Sequence, residues 1–150
     1  MKNLEREVNR FPEVNMILDE GAFEPFRGHD DDAGLDLRAP KDIIIPAHSS
    51  AVCDFGIHFE IPSGWFGKLE SKSGLNVNHQ IFCGGGIIDS GFTGSIKARL
   101  YNFSGEDYEF KAGDKFVQIV FIPISIPRLI KVKEFGEHER GDSGWGSTGR

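Results

Sequence analysis

The stretch AVCDFGIHFEIP, residues 51–62, decides the fold class. Ala51, Cys53, Phe55, Ile57, Phe59 and Ile61 fall on one side of an extended chain, and Asp54, His58 and Glu60 on the other. A period of two is the pattern of a strand with one face in a core and the other in water. Working outward, DIIIP (42–46), WFGKLES (65–71), SIKARLYN (95–102) and KFVQIVFIPIS (115–125) read the same way. Pro-Ser-Gly, Gly-Phe-Thr-Gly and Ala-Gly-Asp at their borders are turn chemistry. Helical spacing is confined to Leu4, Val8 and Phe11 in the first dozen residues. Short strands with frequent turns predict an all-β barrel or jelly roll.

The chain of 150 residues, 39% hydrophobic, suffices for one domain with a real core, and it carries no repeat or linker. Its formal charge of −6 argues against a sequence-independent grip on DNA or RNA. It leaves room for a small anionic ligand, because a few local cations or a metal reverse the potential of one pocket. No run approaches the roughly 20 apolar residues of a membrane span. The segment MKNLEREVNRF lacks the apolar middle of a signal peptide. Cys53 and Cys83 lie in apolar stretches and form no CxxC, so two buried thiols in a reducing, cytoplasmic setting are expected.

Five short stretches carry chemistry. In HDDDAGLD (29–36), Asp30, Asp31 and Asp32 read as a solvated loop, whereas Asp36, between Leu35 and Leu37, should be partnered or face a cavity. In ESKSGL (70–75), Lys72, Ser73 and the Gly74 amide form either an anion-binding nest or a plain turn. In GGGIIDSGFTG (84–94), the glycines admit a ligand to the backbone, and Ile87 and Ile88 read as core anchors. Asp89 emerges at a turn with Phe92 three residues on, as a water-activating base beside a stacking ring or as a polar hairpin tip. In AGDKFVQIV (112–120), Gln118 is either a core bridge or a ligand contact, since a buried amide needs partners. RGDSGWGSTGR (140–150) is too rich in glycine to build a core, yet it carries Trp145. GWGSTG formally matches G-x-G-x-x-G, but no strand pattern precedes it and no helical pattern follows. A GxxxxGK[ST] loop is absent.

Taken in order, AGLDL, KSGL, GIIDSGFTG, GDKFVQI and RGDSGWGSTG resemble the five motifs of the trimeric dUTP diphosphatases, from about residue 33 onward. The resemblance implies a distorted jelly-roll β-barrel assembled as a homotrimer. Residues 1–30 would be an N-terminal extension, 31–138 the β domain and 139–150 a flexible C-terminal arm reaching a neighbouring subunit. The implied reaction is hydrolysis of dUTP to dUMP and pyrophosphate, limiting uracil incorporation into DNA and supplying dUMP for thymidylate synthesis. Asp89 would be the catalytic carboxylate, orienting a water for in-line attack on the α-phosphorus. Lys72, Ser73, Gly74 and Gln118 would contact the phosphates, and Lys97 belongs to the same substrate-binding set. The hairpin from Cys83 to Phe92, with Gly86, Ile87 and Ile88, would read uracil through main-chain donors and acceptors. Phe92 would lie under the sugar and exclude a 2′-hydroxyl. Arg140, Gly146, Ser147, Thr148 and Gly149 would hold the β- and γ-phosphates, and Trp145 would cover the base. Mg²⁺ would be carried mainly by the phosphates, with Asp36 reaching it through water. The substrate and two further copies are the implied partners, with no nucleic-acid polymer and no membrane.

Four positions depart from the family's habit. Lys72 stands where arginine is usual and cannot make the planar bidentate phosphate contact, so weaker triphosphate binding is expected. Phe92 replaces tyrosine, Trp145 replaces phenylalanine, and Cys83 stands where asparagine or an aliphatic residue is common. The rival enzyme class, dCTP deaminase, has a similar D-x-G-F turn but needs a glutamate beside the base. TGSIKARLYN (93–102) offers no acid. A second alternative is a nucleotide-dependent regulatory protein on the same scaffold.

Overall fold

A computed structural model describes residues 12–137. The candidate helix around Leu4, Val8 and Phe11 lies outside that range, as do Arg140, Trp145, Gly146, Ser147 and Thr148. The elements are β1 (Asn15–Leu18), β2 (Leu35–Arg38), β3 (Ile43–Ile45), β4 (Ser49–Asp54), β5 (Ile57–Glu60), β6 (Trp65–Glu70), α1 (Ser73–His79), β7 (Ile81–Gly84), β8 (Ile87–Ile88), β9 (Lys97–Asn102), β10 (Tyr108–Phe110) and β11 (Lys115–Pro123). They form a four-stranded sheet β2-β11-β6-β8, a three-stranded sheet β4-β9-β7 and the pairs β1-β5 and β10-β3. Every pairing is antiparallel. Among the described residues no helix is long and apolar enough to cross a membrane.

The stretch 51–62 is two strands rather than one. β4 pairs with β9, and β5 pairs with β1 in another sheet. The chain turns the corner at Gly56, whose φ of 63° is accessible to glycine at little cost. A Cβ there would also lie 3.2 Å from both Ala22 Cβ and Asp19 Cβ. The alternation survives the corner, because Phe55 and Ile57 on either side of it both face inward. Cys53, Phe55, Ile57, Phe59 and Ile61 are all buried. Phe116 meets Phe55 edge-on at 5.8 Å between ring centres, tying β11 to this corner.

β9 alternates strictly, with Ala98, Leu100 and Asn102 inward. Asn102 is a polar residue at a core position, and it is fully engaged. Its Nδ2 donates to the carbonyls of Ile45 at 3.0 Å and Glu106 at 2.7 Å. Its Oδ1 accepts from the Ser104 N–H at 2.9 Å and from the Ser104 hydroxyl at 2.7 Å. One amide thereby pins the turn after β9 to β3.

α1 is a correction, since the sequence reading placed no helix beyond the first dozen residues. None of its residues is buried, so it presents no apolar stripe to detect. It begins at Lys72 without a side-chain cap and ends at Gln80, which adopts the left-handed conformation. The structure also leaves large apolar side chains in water. Phe82, Tyr101 and Phe103 cluster on the outer face of the three-stranded sheet, with Phe82 and Phe103 ring centres 5.4 Å apart. Beyond β11, Ile126, Leu129, Ile130 and Phe135 are all more than 70% exposed.

Asn102→Ala removes the amide's hydrogen bonds to the Ile45 and Glu106 carbonyls and to the Ser104 N–H, while the Ser104 hydroxyl still reaches the Glu106 carbonyl, a loss of about 1–3 kcal/mol. Urea denaturation at fixed protein concentration should show the midpoint fall accordingly. An unchanged midpoint would mean that water replaces the amide.

Candidate active site

β2, β11 and β6 lie side by side, with Asp36 opposite Gln118 and Gln118 opposite Glu70. This register builds a cleft of about 400 Å³ lined by His29, Gly34, Asp36, Lys72, Lys115 and Gln118 among others. Asp36 is only 7% exposed. Lys72 Nζ donates to its Oδ1, and Lys115 Nζ lies 2.9 Å from its Oδ2. Burial pushes the carboxyl up, but the hydrogen bonds and charges of Lys72 and Lys115 outweigh it and hold Asp36 below its ordinary value. Gln118 Nε2 donates to the Ser71 carbonyl at 3.0 Å, so the amide bridges strands while facing the cleft. A Cβ at Gly34 would come within 2.2 Å of Gln118 Oε1, so a side chain there would displace the Gln118 amide from its place in the cleft. Ser73 and Gly74 open α1 and are exposed. No atom lies within 4 Å of a Cβ built on Gly74, so nothing in this chain demands glycine there.

The segment 83–94 is not a hairpin whose strands pair with each other. β7 pairs with β9, while β8 pairs with β6, so the chain crosses between sheets at Gly85 and Gly86, whose φ values are 98° and 132°. The Gly86 carbonyl accepts from the Leu69 N–H at 2.9 Å, and the Cys83 N–H donates to Ser71 Oγ at 2.8 Å. Ile87 is a second correction. Ile88 is buried as expected, but Ile87 is 68% exposed, because neighbouring strand residues point to opposite faces. Asp89 is exposed and closes a turn in which its carbonyl accepts from the Phe92 N–H at 3.0 Å. Phe92 is half exposed. The thiols play no nucleophilic part: burial pushes Cys53 up to about 12, and burial with the Glu70 charge pushes Cys83 up to about 11. Both are free.

The structure thus brings Asp36, Lys72 and Gln118 together, with Ser73 and Gly74 following Lys72 and with Cys83 fastened beside them through Ser71, and it carries Asp89 and Phe92 away along β8. Ile88 pairs with Gly67, so Asp89 falls level with Phe66. An offset of about four residues along the strands and about three strands across puts Asp36 and Asp89 on the order of 20 Å apart. Lys97 joins neither group, its ammonium being 3.2 Å from Asp54. Lys115 was not singled out by the sequence reading, although it is the second cation on Asp36. Its placement depends on a register shift between Lys115 and Val117 that only strand pairing reveals.

No group of three or more His, Cys, Asp or Glu side chains suited to a metal exists among the described residues. The carboxylate in the cleft already holds two ammonium groups. This donor set does not suit a metal held by the protein alone, but it leaves room for one that arrives on an anionic ligand.

A carboxyl held low in the fold stabilises it above its unfolded value of 3.8, and that contribution fades as pH falls through the folded value. The stability gap between the parent and Asp36→Asn should therefore be full at neutral pH and narrow below 3.8. Thermal melts across the acid range check this. A gap that stays constant while both proteins remain folded would overturn the ion-pair account.

The dUTPase family pattern matches residues 23–149. The chain is 36% identical over 132 residues to the mitochondrial deoxyuridine 5′-triphosphate nucleotidohydrolase of Dictyostelium discoideum, covering 88% of this chain and 74% of that one. It is also 36% identical over 132 residues to the enzyme of that name from Paramecium bursaria Chlorella virus 1, covering 88% and 94%. Among solved structures, the Staphylococcus bacteriophage 80alpha dUTPase with dUPNHPP superposes with a TM-score of 0.86 at 26% identity, over 93% of this chain and 100% of that one. A dUTPase variant from phage phi11 of S. aureus, described as revealing the coordination of a structural Mg(II) ion, superposes at 0.77 with 27% identity, over 83% and 99%. With the match running from before Asp36 into the glycine-rich segment, and the β architecture shared, this chain belongs to the dUTPase family.

Proposed function

We propose that this protein hydrolyses dUTP to dUMP and pyrophosphate, lowering the dUTP available for incorporation into DNA and supplying dUMP for thymidylate synthesis. The observation that carries the reading is the pairing of a lysine-rich cleft at Asp36, Lys72 and Gln118 with an exposed carboxylate at the Asp89 turn, both within family motifs. Lys72, Ser73 and Gly74 with Gln118 take the phosphates. The open space at Gly74 supports close approach of a ligand to that backbone. The backbone from Cys83 to Ile88 reads the uracil edge, and Phe92 packs under the deoxyribose. Asp89 accepts a proton from water as its oxygen bonds to the α-phosphorus. The bond from that phosphorus to the bridging oxygen breaks, and pyrophosphate leaves. Mg²⁺, when carried on the triphosphate, offsets charge on the departing oxygens. Asp36 would reach that ion through water while steadying Lys72. Arg140, Trp145 and residues 146–149, which lie outside the described residues, would act on the substrate from another subunit.

The separation within one chain supports a site shared between copies. A catalytic carboxylate works within about 3 Å, or one water, of its target. Asp89 and Lys72 of one copy therefore serve different substrate molecules. The aromatic cluster on the outer sheet and the exposed run from Ile126 to Phe135 support burial against further copies. The homotrimer that the family resemblance implies would accommodate both.

Pyrophosphate release measured separately with each deoxynucleoside triphosphate tests the activity. Only dUTP should be consumed, and ammonia released from dCTP would overturn the assignment. Asp89→Asn should lower kcat by about 10²- to 10⁴-fold while a non-hydrolysable dUTP analogue still binds. Parental turnover in that variant would remove Asp89 from its role. Co-expressing Asp89→Asn with Lys72→Met subunits checks the shared site. Mixed assemblies should regain activity that neither variant has alone, and no recovery would place each site within one chain.

A further inference from the structure

We propose that His58 is a positioning residue for the turn that carries Asp89 and Phe92, binding the Thr93 backbone to Asp19 through both ring nitrogens. The inference rests on the reading of residues 89–92 as the base-and-sugar side of the dUTP site. His58 stands on the polar face of β5. Its Nδ1 lies 2.8 Å from the Thr93 carbonyl, and its Nε2 lies 3.3 Å from both Asp19 carboxylate oxygens. A carbonyl and a carboxylate only accept, and a neutral imidazole has a single N–H. Both contacts are hydrogen bonds only when the ring is an imidazolium.

The ring is clamped at its far side. The Asp19 N–H donates to the Gly56 carbonyl at 2.8 Å, at the corner between β4 and β5. The turn is fastened to that corner a second time, because the Ser95 hydroxyl donates to Asp54 Oδ1, which also accepts the Gly56 N–H at 3.2 Å. Phe92 in turn lies on Gly94, where a Cβ would come within 2.7 Å of its Cζ. A displacement of Thr93 would therefore be passed to the Phe92 ring. β1, which lies outside the five motifs, acquires a role in holding the substrate turn.

The charged groups facing the ring are Asp19, which follows β1, Asp54 from β4 and Glu60 from β5, the last engaged by Asn15 at 2.7 Å. Lys97 is held by Asp54. The Thr93 carbonyl, followed by Asp19, raises His58 above its ordinary 6.5, against a smaller effect of burial. The clamp is complete below that raised value and loses one of its two hydrogen bonds as pH rises through it.

The test compares the parent, His58→Gln and Asp19→Asn, measuring kcat and KM for dUTP between about pH 5.5 and pH 9, with the histidine rings titrated by NMR. Titration of dUTP itself affects every protein alike, so the ratio of KM values is the readout. The His58→Gln to parent ratio should be about five- to tenfold on the acid side and fall toward one as pH rises, with kcat changed less than about twofold. In an Asp19→Asn background the same ratio, taken with and without His58→Gln, should fall at lower pH, together with the His58 titration. A ratio that does not vary with pH, or a His58 ring titrating at or below 6.5, overturns the proposal. Parental turnover in Asp89→Asn would instead remove the reading on which it rests, so the two failures are distinguishable.

Discussion

A carboxylate with 7% of its surface in contact with solvent must find cations or surrender its charge, and Asp36 finds two. That requirement organises the cleft. Lys72, arriving from the end of β6, and Lys115, arriving from the start of β11, are drawn to opposite oxygens of one side chain. The same register that brings them together places Gln118 between Asp36 and Glu70 and sets its amide against Gly34. Two ammonium groups held in place by a buried anion are preorganised for an anionic ligand, even though the chain as a whole carries −6. Lys72 differs from arginine in this setting, because an ammonium is a point charge that must divide itself between Asp36 and any phosphate.

The frame that holds this cleft rests on two small features of the core. Gly56 lets one apolar run serve two sheets without turning an inward side chain outward. Asn102 replaces a hydrophobe at an inward position and gathers the loop after β9 onto β3. Both carry the consequences of burial, one through backbone conformation and one through hydrogen bonding. Neither touches the cleft, yet both set where β9 and β5 lie, and through β5 the location of the Asp89 turn.

The separation of the two functional groups has a simple origin in antiparallel pairing. β8 runs back along β6, away from Lys72, so each residue that carries the chain toward Asp89 takes it further from the cleft. No rearrangement of side chains closes a gap of this size within one copy. The outer sheet and the run after β11 likewise leave large apolar side chains in water, which a single copy does not cover among the described residues.

Inward and outward faces were legible in the sequence wherever the period of two was strong. Residues 51–61 and 97–102 point as their alternation predicts, because that period is a local property of extended backbone. The need of Asp36 for partners was legible for the same reason, as a charge between two leucines, and the five ordered motifs made the family legible too. Partner choice was not. The division of 51–62 between two sheets, the separation of β7 from β8, the exposure of Ile87 and the capture of Asp36 by Lys115 all depend on which distant strand lies alongside. α1 escaped notice because a two-turn helix with no buried face leaves no periodic trace. Local chemistry is written in neighbouring residues, whereas pairing register is a competition among distant segments that only the folded chain resolves.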